Sequence, residues 1–288
     1  MKPTRRDFAK LCAGFAAVPG LRFPTAPRER IAVASYPFRE FIGAKIALKD
    51  FAAMVADEFG IHAIEPLGSH FPSLEPAYLD GFRTAVEKAR SRVVNIPADV
   101  DASVYDADAA ACAKAVANGK KWIDAAAALG SPGVRIHVQG AKGVKPDVER
   151  AAGTLKAMAD YGSAKGVIVS LENDDLVTED AFFLVKVIER VNSPYLRALP
   201  DFGNSMLGGN EKFNYDAVAA MFRHATNIAH VKDSEVADGG RVFRVDMAKT
   251  FAIAKASGYR GYYSMEWEGQ GGPYEGTRLL IAQSLKLM

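Results

Sequence analysis

The feature that most constrains this chain is an alternation repeated eight times: a short β-branched or apolar run, then a longer stretch whose apolar residues recur at helical spacing. The runs are 31–38, 61–67, 92–98, 133–138, 167–172, 196–201, 228–232 and 262–266. Helical stretches follow near 46–59, 76–90, 108–129, 147–165, 178–191, 215–225, 246–257 and 274–287. Such alternation gives parallel strands joined by crossover helices. Gly60, Gly130, Gly166 and Gly258 each fall between a helix and a strand, where a left-handed cap is wanted. Asp147 and Thr178 suit helix N-termini, because a side-chain oxygen there accepts from free backbone N–H groups. Eight units in about 260 residues predict a single α/β domain, a (β/α)8 barrel, for which ~250 residues is typical. A doubly wound open sheet would carry a glycine-rich phosphate loop after its first strand, and Ser35-Tyr36-Pro37-Phe38-Arg39-Glu40 is not one.

Charge and cysteine content remove several function classes. With 36 basic and 34 acidic residues in 288, the chain offers nucleic acid no basic face. Cys12 and Cys112 are too few for a disulfide framework or a thiolate zinc site. No run of 18 apolar residues occurs, so a conventional spanning helix is excluded.

The first 27 residues read as an address. Thr4-Arg5-Arg6-Asp7-Phe8-Ala9-Lys10, the short apolar run to Leu21 and the polar exit to Arg30 resemble a twin-arginine export signal. The resemblance implies export machinery of that type as a partner and a periplasmic or exported location. Ala17 and Ala26 are both imperfect cleavage candidates, and an uncleaved anchor stays open. Lys10 interrupts any lipobox before Cys12. The expected division is therefore 1–27 targeting segment and 28–288 barrel. Residues 1–27 hold five of the basic residues and one acidic residue, so the formal +2 of the chain belongs to the address.

In a (β/α)8 barrel the chemistry sits at the carboxyl ends of the strands. The last four runs each end on a group that can hold a metal: Glu172, Asp201, His230 and Glu266. They are separated by 29, 29 and 36 residues, about one strand–helix unit each. One carboxylate at a strand tip is ordinarily a cap or an ion-pair partner. Four such groups at equivalent places call for a common explanation, since burying them unpaired costs several kcal/mol. A divalent cation supplies it, and three oxygen donors with one nitrogen favour Mn2+, Mg2+ or Co2+.

The same residues carry a family resemblance. Gly60-Ile61-His62-Ala63-Ile64-Glu65, Leu129-Gly130, Leu171-Glu172-Asn173, Asp201-Phe202-Gly203-Asn204, His230-Val231-Lys232-Asp233 and Gly258-Tyr259 leading to Met265-Glu266 resemble the xylose isomerase-like TIM barrels, which include sugar and sugar-phosphate isomerases and epimerases. The resemblance implies one divalent metal held by Glu172, Asp201, His230 and Glu266. It also implies an enediolate route on a sugar or keto-sugar, in which Glu172 and Glu266 exchange a proton with the substrate. Barrels of this family often form homodimers. The epimerases carry a histidine where this chain has Asn204, and a substrate-binding arginine where it has Lys232 and Asp233. That form resembles the inosose dehydratase branch, so metal-assisted β-elimination from an inosose or a 3-keto-glycoside is the alternative. A non-catalytic exported sugar-binding barrel is a third expectation. Abasic-site nucleases of the same fold need a histidine-rich zinc cluster, and five histidines are too few.

Further substrate contacts are expected from Lys232, Asn204, His70, His137, Glu268, Trp267 and Tyr36. Lys232 and Glu268 share strand faces with His230 and Glu266. Arg135, His137 and Gln139 share one face of the fourth run and point to the lumen, with an Arg135–Glu65 ion pair as the competing account. His70 lies in the loop after the second run, while Trp267 and Tyr36 offer rim aromatics for a sugar ring. His62 and His224 are read as structural.

Overall fold

The computed structural model describes Val18 and residues 21–237, 239–269 and 271–288. Arg5, Arg6, Cys12 and Ala17 lie outside the described residues.

The eight predicted runs form the ring of one (β/α)8 barrel. Its strands are β1 (Ile31–Ala34), β2 (Ala63–Glu65), β3 (Arg92–Val93) and β4 (Pro97–Ala98), then β5 (Gly133–Ile136), β6 (Ile168–Glu172), β7 (Leu196–Leu199), β8 (Ile228–Val231) and β11 (Tyr262–Met265). The third run is split: Val94, Asn95 and Ile96 separate β3 from β4. The parallel ladders consequently fall into two sheets, β3-β2-β1-β11-β8 and β4-β5-β6-β7. Between β7 and β8 the ring closes through two isolated bridges, Ala198↔Ala225 and Asp201↔His230.

The outer helices are α1 (Phe51–Phe59), α2 (Pro76–Lys88), α3 (Ala109–Ala128), α4 (Val148–Lys165), α5 (Ala181–Val191), α6 (Glu211–Phe222), α7 (Met247–Ala256) and α8 (Pro273–Leu287). Gly60, Gly130, Gly166 and Gly258 all adopt positive φ, as their positions require. Asp147 caps α4 through Arg150 N. The cap of α5 is Asp180 rather than Thr178, since Asp180 accepts from Phe182 and Phe183 while Thr178 is tied to Asp175. Helix α6 runs earlier than its apolar spacing suggests, because Asn210 caps it at Phe213.

Alternation along the strands decides what faces the lumen. Ala32, Ala63, Val94, Leu199, Ile228 and Tyr262 form a small apolar cluster of their own, while their chain neighbours Ile31, Val33, Ile64, Val93 and Ala229 join the large core shared with the helices. Phe23 packs edge-on against Tyr262 and covers this cluster from below. Two residues further along, the same faces carry Glu65, Asp201, His230 and Ser264, and two further still Lys232 and Glu266. The lumen thus changes from apolar at the N-terminal end to ionic at the C-terminal end.

Among the described residues one hairpin stands outside the eightfold pattern. β9 (Ser234–Val236) pairs antiparallel with β10 (Val242–Arg244), placing Glu235 opposite Phe243. It rises from β8 at the C-terminal rim. Gly203 lets it approach, because a Cβ there would come within 3.2 Å of Val245 Cγ2 and 3.4 Å of Glu235 Cβ.

Candidate active site

Glu172 ends β6, His230 lies within β8, Asp201 stands two residues past β7, and Glu266 directly follows β11. The Asp201↔His230 bridge and the Ser264↔His230 register bring these tips level. One donor atom of each side chain lies within 4.8 Å of those of the other three, and all four side chains are buried.

Local hydrogen bonding fixes Asp201. Its Oδ1 accepts from the backbone N–H of Gly203 at 2.7 Å and of Asn204 at 2.6 Å, and its own N–H donates to Asn173 Oδ1 at 2.8 Å. Its Oδ2 is buried without a hydrogen-bond partner, and Lys232 Nζ stands 3.8 Å away. Such an unpaired buried oxygen costs about 1–3 kcal/mol or more. It asks for a cation.

His230 is set the same way. Its Nε2 lies 3.0 Å from both oxygens of Glu65, and its Nδ1 lies 2.7 Å from Glu172 Oε1 and 3.3 Å from Glu266 Oε2. With Nε2–H donated to Glu65, the Nδ1 lone pair faces two carboxylates, an arrangement stable only with a proton or a cation among them. A carboxylate behind a histidine is the usual support of a metal-binding imidazole. Burial alone would lower the His230 pKa, but Glu172, Glu266 and Glu65 together raise it well above the ordinary range. Burial pushes the Glu172 and Asp201 carboxyls up. At Glu266 burial is outweighed by His230 and Lys232, which hold it at about 2. Three carboxylate oxygens, one imidazole nitrogen and an orphaned oxygen among them fit a hard divalent cation.

Two cationic side chains frame the cluster. Arg135, on β5, sits 3.1 Å from Glu172, 2.7 Å from Asp174 and 3.1 Å from Glu179. The expected Arg135–Glu65 pair does not form, because Glu65 is taken by His230 and by Asn95 Nδ2 at 2.7 Å. On the other side Lys232 Nζ donates to Asn204 Oδ1 at 2.7 Å, Glu235 at 3.0 Å and Glu268 at 3.3 Å. Its three N–H groups are therefore used within the protein, and Lys232 orients three neighbours.

Asn204, Lys232, Glu268 and Tyr36 line, with Glu172, His230 and Glu266, a cavity of about 320 Å³. That is the small end of the ~300–1,000 Å³ typical of ligand pockets. Tyr36 is pushed up to about 12 by burial and by the charge of nearby Glu268. The remaining expected contacts lie elsewhere. His70 hydrogen-bonds Ser35 Oγ at 2.8 Å, and burial with nearby Arg39 lowers its pKa. His137 pairs with Glu179 at 3.0 Å. Trp267 lines an outer groove with Pro37, Arg39 and Phe41, its indole seated where Gly276 leaves no Cβ. His62 contacts the Ala89 carbonyl and His224 faces Glu189 at 3.3 Å, away from the cavity.

Glu65 as partner of His230, Asn173 as clamp on Asp201, Glu179 as anchor of Arg135, and Glu235 on the cavity wall are not read from the sequence. Glu65 had the same signal as Glu172 and Glu266, a carboxylate closing an apolar run. Glu235 had none, because the hairpin that carries it shows no apolar alternation.

The sequence matches the family described as xylose isomerase-like TIM barrel over residues 54–288, and the chain belongs to that family. No curated protein matches it. The fold is similar to that of 3-keto-D-glucoside 4-epimerase from E. coli, with a TM-score of 0.67 at 13% identity, covering 89% of this chain and 99% of that one. It is similar to D-psicose 3-epimerase from Clostridium cellulolyticum H10, with a TM-score of 0.67 at 14% identity, covering 88% and 93%. The probable 3-DHS dehydratase AsbF from Bacillus anthracis gives 0.61 at 12%, covering 89% and 97%. At these identities the likeness is one of fold.

Proposed function

We propose that this chain is a metal-dependent isomerase or epimerase that enolises a sugar or keto-sugar. The observation that carries the reading is the buried Glu172–Asp201–His230–Glu266 cluster, with its unpartnered Asp201 oxygen, of which Glu172, His230 and Glu266 line a sugar-sized cavity. When bound, Mn2+, Mg2+ or Co2+ would polarise a substrate carbonyl and its neighbouring hydroxyl and stabilise charge as the enediolate forms.

The protein groups do the rest. Glu172 and Glu266 both face His230 Nδ1, and between them they remove the proton next to the carbonyl and return it to the other face or to the adjacent carbon. Arg135 holds the far oxygen of Glu172, so the carboxylate presents a fixed edge. Asn204 Nδ2 stands 3.4 Å from Glu172 and 3.5 Å from Asp174, contacts long enough to yield to a substrate hydroxyl. Tyr36 lines the cavity beside Glu268. The fold shared with sugar epimerases and a dehydratase supports a small carbohydrate as substrate.

Deuterium exchange next to the carbonyl tests the reading. Exchange into a panel of ketoses and 3-keto-glycosides with Mn2+ is expected, and its loss in Glu172→Gln. Binding of sugar without exchange in any member would replace it with a non-catalytic sugar-binding barrel. Elimination is the second reading, favoured by the Lys232–Glu235–Glu268 group on the cavity wall. The Arg5–Arg6 motif supports export by the twin-arginine machinery, with a periplasmic location. Fusion of residues 1–27 to a reporter, with Arg5→Lys and Arg6→Lys as control, tests that address.

A further inference from the structure

The near-zero charge of the whole chain, 36 basic against 34 acidic residues, hides a segregation that the fold makes visible. In a (β/α)8 barrel the connections from helix to strand lie at the N-terminal end of the ring, opposite the end that carries the chemistry. Here those connections are 60–62, 89–91, 129–132, 166–167, 192–195, 223–227 and 257–261, and they contain no Asp or Glu. They do contain Arg90, Arg223 and Arg260, and Arg92 opens β3 beside them. All four arginines are exposed, and none forms an ion pair among the described residues. They stand under one half-ring, β3-β2-β1-β11-β8, as an arc of positive charge. The last turns of the flanking helices carry both signs in near balance.

The segment before β1 adds to this face. Phe23 covers the lumen floor, Arg28 Nη2 donates to the Phe59 carbonyl at 2.6 Å, and Arg30 Nε donates to the Gly261 carbonyl at 3.0 Å. The segment is thereby strapped across the barrel end. Arg28, Arg90, Arg92 and His62 border one open cavity there, with Glu29 the single acid among the described residues of its lining. Val18 and Leu21 line a second cavity with Pro132, Gly166 and Val167, which belong to two of the same connections. The sequence before Val18, with Lys2, Arg5, Arg6, Lys10 and the apolar run from Leu11, is therefore joined to the barrel at its N-terminal end. Glu172, Asp201 and Glu266 lie at the opposite end.

We propose that the N-terminal face of the barrel is a docking surface for an anionic phospholipid membrane, with the mouth of the candidate site directed away from the lipid. The cations meet phosphate headgroups, and an apolar run too short to span a bilayer enters the interface beside them. Those two signals together hold a protein on such a surface. The apolar run decides for lipid over nucleic acid, which would use the arginines alone. The inference stands apart from the enolisation reading, since none of these residues lines the candidate cavity.

Sedimentation of the full chain with vesicles tests it. Binding is expected to vesicles of equal parts phosphatidylglycerol and phosphatidylcholine and not to phosphatidylcholine alone, and it should fade as added salt shortens the screening length from ~10 to ~3 Å. An arginine close to an anionic surface is worth about a fivefold change in partition, so Arg90→Gln, Arg223→Gln and Arg260→Gln together should weaken binding about 100-fold. Lys49→Gln, Lys142→Gln and Lys186→Gln remove the same charge from exposed positions off this face and should weaken it less than about threefold. No preference for the anionic vesicles refutes the proposal. Equal loss in the two triple variants assigns binding to net charge, and full binding by the arginine variant assigns it to the N-terminal segment; either overturns the face. Tighter binding to duplex DNA than to the vesicles replaces lipid by nucleic acid. Should the arginine triple variant not fold, Arg260→Gln alone decides: binding about fivefold weaker supports the face, and unchanged binding refutes it.

Discussion

Replacing Glu65 by Gln separates support of the metal from support of the fold. Glu65 is fully buried, with both oxygens 3.0 Å from His230 Nε2 and one oxygen 2.7 Å from Asn95 Nδ2. A glutamine has the same shape and keeps one carbonyl oxygen for His230. Its amide then faces Asn95, whose Oδ1 has no partner and can accept once the Asn95 amide turns over. One of the two Nε2 contacts is lost and the other hydrogen bonds are kept, so the metal-free variant should lie within about 1.5 kcal/mol of wild type. The negative charge behind the imidazole is lost, and removing such a partner typically weakens metal binding ~10–100-fold, or about 1.4–2.7 kcal/mol. At Mn2+ concentrations of ~100 wild-type Kd, wild type gains about 2.7 kcal/mol of stability, whereas the variant gains about 1.4 or 0.4. Thermal melts over a Mn2+ titration, with isothermal calorimetry for the Kd, read both quantities. A variant with unchanged metal-free melting and a Kd within threefold of wild type would refute the role given to Glu65.

Asp201→Asn keeps an oxygen for Gly203 and Asn204 and replaces the unpartnered one, so its metal-free form should melt within about 1 kcal/mol of wild type or above it while the Mn2+ response disappears; a metal-free loss beyond about 3 kcal/mol would count against the site. The pH dependence of metal-free stability tests Glu235. A carboxyl at about 7 in the fold and at the ordinary 4.5 when unfolded keeps its proton longer in the native state. Stability is therefore lost as pH rises from 4.5 through 7, by about 3 kcal/mol from this group. Urea melts across this pH range should show a weaker pH dependence in Glu235→Gln, and an unchanged dependence would show that the Glu235 carboxyl is not raised. Gly162→Ala should destabilise α4 by ~1–3 kcal/mol despite the better helix propensity of alanine, because its Cβ would meet the Val167 carbonyl oxygen at 2.4 Å. A gain in urea stability would show that the helix moves aside.

The barrel was legible because its strands and helices carry different apolar periods, and because glycine marks four of the boundaries. The break in the third strand was not, since Val94 and Ile96 continue the apolar pattern through the non-laddered gap. The four clustered residues Glu172, Asp201, His230 and Glu266 were legible as strand tips with like spacing. What surrounds them was not, for three reasons. Arg135 could be placed on the lumen face but not assigned to Glu172, Asp174 and Glu179, because partner choice depends on lateral strand order. Lys232 reads as a substrate contact until the carboxyls around it are seen. Trp267 at a rim position reads as a sugar platform, yet the small Gly276 on α8 draws its ring outward.

The seam between β7 and β8 has a mechanical consequence. Glu172 and Asp201 stand on the four-stranded sheet, and His230 and Glu266 on the five-stranded one. Across the seam, the backbone hydrogen bonds near the rim are His230 N to Pro200 O and Phe202 N to His230 O. A cation gripping all four side chains is therefore a cross-link between two half-rings, placed where the ladder is thinnest. Loading it would stiffen the closed cylinder at its weakest joint. The amides of His230 and Phe202 should exchange with solvent through opening of this seam when the cross-link is withdrawn, while those inside β6 and β11 keep their protection.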